Sequence, residues 1–183
     1  MTKKVICEIC GSLYGIDSQD VIAVDSAGTV ISLENVPRFT EGAVMFRGEA
    51  VPVLGMRLLF KIDWDPVLSK VPEPEESCIV FMECGDMKIG FRFDRVVELK
   101  DIPDGEISKI PLIPSEGSTS YIKGSFRYFA DSVSDIPEED FSENSYRSDE
   151  RIITVIDPDM LISMDTKKLL TEALSKIEKT DCE

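Results

Sequence analysis

Residues Glu41–Arg57 read EGAVMFRGEAVPVLGMR, a nearly unbroken apolar stretch with an Arg-Gly pair, Arg47–Gly48, in its middle. Two apolar runs of strand length separated by two residues predict a hairpin, GAVMF against EAVPVLGM, turning at Arg47–Gly48. Arginine is among the residues least often buried, so at such a tip it is either solvated or presented to a partner. Pro52 lacks the N–H that a central strand needs, which predicts an edge or an irregular strand.

Outward from this hairpin, KKVICEIC (3–10) alternates as a strand, and LYGIDSQDVIAV (13–24) continues as a second after a turn at Gly11–Ser12. Residues 26–42 form a connection rich in turn formers, and MRLLFKI (56–62) a short helix. DWDPVLSKVPEPEES (63–77), with three prolines and several acids, is an exposed linker. SCIVFMEC and MKIGFRFDRVVELK make another hairpin about Gly85–Asp86, followed by a loop over 101–120 and two strands, YIKGSFRYFAD and RIITVID. Asp157 followed by Pro158 reads as a helix start. Leu169, Leu170, Ala173, Leu174 and Ile177 stripe a C-terminal helix within 166–183. Seven or more short strands with few helices predict a mainly β barrel or sandwich domain.

The pattern repeats. YGIDSQDVIAV overlies IGFRFDRVVEL, with Gly15 and Gly90, and Val21 and Val96, each 75 positions apart. Gly42 and Gly124 stand 82 apart, and Val51 and Ile153 stand 102 apart. The growth from 82 to 102 assigns about twenty extra residues to the last hairpin of the second copy. They fall in the acidic, Ser-rich run 131–150. Two copies in tandem imply a pseudo-two-fold pair of small barrels, with a seam near 65–77.

Composition narrows the functions. The 183 residues carry 35 acids against 20 bases, a formal charge of −15, which opposes nucleic acid and anionic membrane as partners. No signal-like or membrane-spanning run occurs, which predicts a cytoplasmic protein without direct membrane insertion. Histidine is absent altogether, removing Ser-His-Asp and Cys-His catalysis and lowering the prospect of an enzyme. Cys7 and Cys10 have the spacing of a metal pair, but no second Cys-x-x-Cys and no histidine complete a site. In a strand the two would also face opposite ways, so buried structural thiols are expected, with no metal or cofactor. The charges of Phe91–Arg95 read as solvated, and Asp157, Asp159 and Asp165 as helix-start residues.

VPRFTEGAVMFRGEAVPVLGMRLLF resembles the pattern of the CheW family of chemotaxis coupling proteins, roughly P-x-h-x-x-G-x4-R-G-x3-P followed by a hydrophobic-Arg pair. YGIDSQDV, IGFRFDRVVEL, YIKGSF and RIITVIDPDMLI follow the family's other landmarks in order, so the resemblance covers about 5–164. It implies a CheW-like domain over 1–165, built as two packed five-stranded SH3-like β-barrels with short helices and a C-terminal helix. It further implies an adaptor that couples methyl-accepting chemoreceptors to the histidine kinase CheA, with the regulatory domain of CheA and the chemoreceptor cytoplasmic tip as partners. On that footing Arg47, Gly42, Val21 and Val96 are the receptor-binding residues: Arg47 forks onto receptor carboxylates or carbonyls, Gly42 allows close approach, and the two valines line an apolar groove. The alternative is a CheW-like scaffold module that serves another two-component kinase or array without chemoreceptor binding. The chain departs from the family at Ala23 and Gly55, where acids are common, although Glu98 keeps one in the second copy.

Overall fold

The structure is a computed structural model that describes residues 1–26, 28–62, 67, 70, 77–103, 105–108, 121–129 and 150–180. The expected linker 63–77, with the seam near 65–77, and the acidic insertion 131–150 lie almost wholly outside these residues. Among the described residues, ten strands form two mixed five-stranded sheets. The first has the order β8-β1-β2-β10-β9 and the second β3-β6-β7-β5-β4. In chain order the strands are β1 (Thr2–Ile9), β2 (Ser12–Asp17), β3 (Val21–Ser26), β4 (Thr40–Phe46), β5 (Glu49–Gly55), β6 (Cys78–Cys84), β7 (Met87–Phe93), β8 (Arg95–Ile102), β9 (Ile122–Phe129) and β10 (Glu150–Ile156). The helices are α1 (Met56–Leu59), α2 (Pro158–Leu161) and α3 (Met164–Thr180).

Advancing every strand of the first half by five numbers converts one sheet order into the other, so the sequence repeat is a two-fold in space. The copies interlock: β3 belongs to the sheet of β6 and β7, and β8 to the sheet of β1 and β2. Two segments that read as single strands therefore break. LYGIDSQDVIAV changes sheet through one 3-10 turn, Ser18–Asp20, and MKIGFRFDRVVELK changes sheet at Asp94.

The two-residue periodicity of the strands sorts the apolar side chains into three cores. Ile6, Leu13, Phe126, Tyr128, Ile153 and Val155 fill the inside of the first barrel. Val44, Phe46, Val51, Val53, Ile79 and Phe81 fill the second. The opposite faces, among them Val5, Cys7, Ile9 and Ile16 against Val80, Met82, Ile89 and Phe91, meet in a joint core that Leu170 of α3 also enters. Each fully buried aliphatic or aromatic side chain contributes about 1.5–3 kcal/mol, so the joint core binds the barrels tightly.

Local chemistry explains the hairpins. Cys10 and Gly11 have φ of 48° and 79°, and Arg47 and Gly48 have 52° and 85°, the paired positive values of two-residue primed turns. The first turn thus lies one residue earlier than expected. β5 is an interior strand between β4 and β7, contrary to the edge expected from Pro52. Pro52 is tolerated because pairing with β7 begins only at Val53, and alternation from the turn places its nitrogen facing away from β4. Asp157 caps α2 by accepting from the Asp159 N–H at 3.1 Å, with Pro158 at the first helical position.

Each barrel is closed by a short bridge beside a repeat glycine. Ile31 pairs with Ala43, and Ser108 with Ser125. A Cβ on Gly42 would lie 2.2 Å from the Ile31 carbonyl oxygen, and one on Gly124 2.7 Å from that of Ser108. The approach that Gly42 permits is therefore by this chain's own residues 30–31. Gly42 also has φ of 148°, outside the reach of most side chains. Gly42→Ala and Gly124→Ala should each lower stability by about 3 kcal/mol or more. Gly105→Ala, with nothing within 4 Å, should stay near wild type. Chemical denaturation of the three variants checks this, and an unaffected Gly42→Ala would mean the barrel is not closed there.

Candidate functional site

The seam between the barrels is held by charges that sequence reading places in solvent. Arg57, directly after the apolar run of β5, forks onto Asp94: Nε donates to Oδ1 at 2.9 Å and Nη2 to Oδ2 at 2.8 Å. Asp94 Oδ2 also accepts from the Cys10 N–H at 2.8 Å, and the Asp94 N–H donates to the Glu8 carbonyl at 3.0 Å. The sheet-changing residue is thus tied to two separate segments, α1 and the end of β1 with its turn. Arg92 is paired with Glu41 and donates to Ser77 Oγ at 2.9 Å. Of the Phe91–Arg95 charges, Arg92 and Asp94 are correspondingly part-buried in ion pairs, because each stands where the chain leaves one sheet for the other. Arg95 keeps an exposed side chain, paired with Glu8 at 2.7 Å.

The expected binding residues fall in three settings. Val21 and Val96 occupy two-fold-equivalent positions on β3 and β8, half-buried against the joint core. Their neighbours Ile22 and Val97 are bulged out of register and turn into the barrels. Three residues beyond each valine stand Val24 and Leu99, also equivalent and exposed by 46% and 58%. Sequence reading missed this second pair, although the 75-residue offset relates them. Gly42 lies at the closure of the second barrel. Arg47 is exposed at the β4–β5 tip, with its guanidinium carbon 5.0 Å from the Phe46 ring centroid; Phe46 stacks on Phe81 at 4.0 Å. The nearby acids turn elsewhere, Glu41 to Arg92 and Glu49 to Lys88 at 2.5 Å.

Cys7 is buried in β1, while Cys10 sits in the turn and packs against the same joint core, not on the opposite face. Strand alternation ends at Ile9, which is why the expected opposition fails. Burial, then the nearby Cys78, pushes the Cys7 thiol well above its ordinary value. Burial and then Asp159 push Cys84 up to about 12. These thiols are protonated at neutral pH and poor as nucleophiles or ligands. Among the described residues no group of three or more metal-ligating side chains converges. A groove of ≈ 650 Å³ beside β8, β9 and β10 mixes Lys100 and Arg127 with Asp101 and Glu106.

Two interlocked barrels with half-exposed apolar residues at both rims of their joint core make a scaffold that presents surfaces. The chain belongs to the CheW-like domain family, whose pattern matches residues 3–166. It is 24% identical over 111 residues to the chemotaxis protein CheW of Klebsiella aerogenes, a match over 61% of this chain and 63% of that protein. The scaffolding protein TtCheW of Thermoanaerobacter tengcongensis superposes with a TM-score of 0.68 over 90% of both chains at 21% identity, which establishes the shared fold. The family is one of scaffolding and adaptor domains. No described helix is long and apolar enough to cross a membrane.

Two outcomes follow from the seam chemistry. Arg57→Ala should lower stability by about 2–3 kcal/mol, and Arg57→Lys should recover only part because an ammonium cannot fork. Denaturant titration reads both, and a change below about 0.5 kcal/mol would place the pair in solvent. The thiols add a pH dependence. A group whose folded pKa is raised binds its proton more tightly when folded, so its stabilising share is complete below its ordinary value of 9.0 and is lost as pH rises toward the folded value. Stability should thus fall above about pH 9, and Cys84→Ala should make that fall shallower by about 1.4 kcal/mol per pH unit. Equal slopes for both proteins would show that Cys84 titrates freely.

Proposed function

We propose that this protein is a non-enzymatic, cytoplasmic coupling adaptor of chemotaxis, joining the cytoplasmic tip of a chemoreceptor to the regulatory domain of the histidine kinase CheA. The reading rests on the family match over residues 3–166. The observation that carries the receptor face is a symmetric display of apolar residues: Val21 and Val96 pack half-buried on one joint core, and exposed Val24 and Leu99 stand three residues beyond them. A helical partner gains from such rims by burying its own apolar stripe, at about 25 cal/mol per Å².

Arg47 adds direction. A left-handed conformation costs an ordinary residue about 1–2 kcal/mol, and the turn it occupies favours Asn or Gly. An arginine kept there, with Glu41 and Glu49 engaged elsewhere, breaks a local rule without a matching structural gain, a pattern concentrated at functional positions. Its planar fork suits carboxylates or backbone carbonyls of the receptor tip. Gly42 contributes indirectly, by letting residues 30–31 close the barrel that carries the tip.

The decisive variant is Arg47→Asn. Because Asn suits the turn, stability should hold or rise, while affinity for the receptor tip falls roughly ten- to a hundredfold, the worth of a charged hydrogen bond. Affinity for the CheA regulatory domain should stay near wild type. Calorimetric titration of purified protein against each partner, with melting curves on the same preparations, reads all three. Absence of binding to either partner at high micromolar concentration would remove the adaptor reading, and unchanged receptor affinity in Arg47→Asn would remove Arg47 from the face.

A further inference from the structure

The two-fold that relates the barrels preserves apolar character but reverses both members of one ion pair. In the second barrel, Glu41 of β4 pairs with Arg92 at the end of β7. The equivalents, 82 and 75 positions on and back, are Lys123 of β9 and Asp17 at the end of β2. Lys123 lies 3.5 Å from Asp17 and 3.3 Å from Asp157. Both Glu41 and Lys123 are the extra residue of a bulge, skipped where the hairpin register shifts. The third member follows suit. Asp157 corresponds to Gly55, where a Cβ would lie 2.5 Å from the Glu41 carboxylate. Burial tends to lower the Lys123 pKa, but Asp157, Asp17 and Asp20 outweigh it and hold the ammonium above its ordinary value. Asp17 is also paired with Lys4, both almost fully buried.

The hairpins themselves carry the same apolar pattern. Val44, Phe46, Val51 and Val53 of β4–β5 correspond to Phe126, Tyr128, Ile153 and Val155 of β9–β10, and all eight are buried. Each hairpin docks in parallel on its own strand, β5 on β7 and β10 on β2. Periodicity alone therefore permits either hairpin on either strand, within one chain or between two copies.

We propose that the reversed charges decide which hairpin closes which sheet. In the exchanged arrangement Glu41 faces Asp17 and Lys123 faces Arg92, two like-charge pairs in part-buried sites where repulsion is poorly screened. In the native arrangement both pairs attract. The charges act against a competing fold and a strand-exchanged dimer, which tandem repeats are prone to form.

The test separates this role from a merely local ion pair. Arg92→Asp places two acids at the second junction, and adding Glu41→Lys restores an attractive pair there. It also gives both hairpins a lysine and both strands an aspartate, abolishing the discrimination. The double variant should melt close to wild type, yet on dilution from denaturant return several-fold less monomer, the deficit appearing as dimer on size exclusion. A local pair predicts that Glu41→Lys rescues both melting and monomer yield, and that result overturns the proposal. If the double variant does not accumulate folded, the refolding is read on Glu41→Gln with Arg92→Gln, where only Lys123–Asp17 still discriminates, about a quarter of the pairwise difference. An intermediate monomer yield supports the proposal, and a yield equal to wild type overturns it.

Discussion

The fork of Arg57 onto Asp94 is the constraint on which the rest of the architecture turns. Asp94 is where the chain abandons the second barrel for the first, and it is clamped by a side chain from α1 and by backbone from the β1–β2 turn. Without the clamp, β8 would have no fixed departure from β7, and the half-buried valine it carries, Val96, would lose its place on the joint core. A guanidinium suits this post because its two parallel donors fix angle as well as distance. The equivalent change of sheet at Ser18–Asp20 is made by a one-turn helix. The two crossovers thus reach the same geometry by different means.

Interlocking has an energetic consequence. Strands β3 and β8 each belong to the opposite half's sheet, so neither half completes its barrel alone. Cooperativity across the joint core follows, since loosening one barrel exposes residues that the other also buries. Symmetric apolar patterning alone would leave the pairing of halves ambiguous. The polar residues at the junctions are where the repeat departs from itself, and they supply the asymmetry that a unique fold requires.

The parts of this fold legible in the sequence are those governed by neighbours along the chain. The hairpins at Arg47–Gly48 and Gly85–Asp86, the Asp157–Pro158 helix start and the α3 stripe all depend on turn chemistry or periodicity within a few residues. The repeat was legible because both barrels need glycine at the same close approaches, Gly15 and Gly90 inside and Gly42 and Gly124 at the closures. The sheet changes were not, because SQD and Asp94 are flanked by residues that alternate as one strand would. The fates of Arg92 and Asp94 were hidden for the same reason. Their partners, Glu41 and Arg57, lie 51 and 37 positions away, beyond any local pattern. At Gly42 the requirement for closeness is met by this chain's own residues 30–31, which lie far from any local pattern.

An adaptor of the kind proposed above must hold two partners without adjusting its own shape to either, and the placement of rigidity in this fold suits that task. Its charges are engaged with each other, Arg57 with Asp94 at the seam and Glu41 with Arg92 within the second barrel, so both places are fixed before anything binds. What is left half-covered is apolar and symmetric, at Val21, Val24, Val96 and Leu99, and one unsymmetric cation stands at the tip on Arg47. Apolar rims supply affinity without orientation, because burial is non-directional. A planar, always-charged group at a single place supplies orientation with modest affinity. Under the proposed adaptor reading, the tip would set the angle at which a partner lies along the rims, and the preorganised seam would keep the entropic cost of docking low.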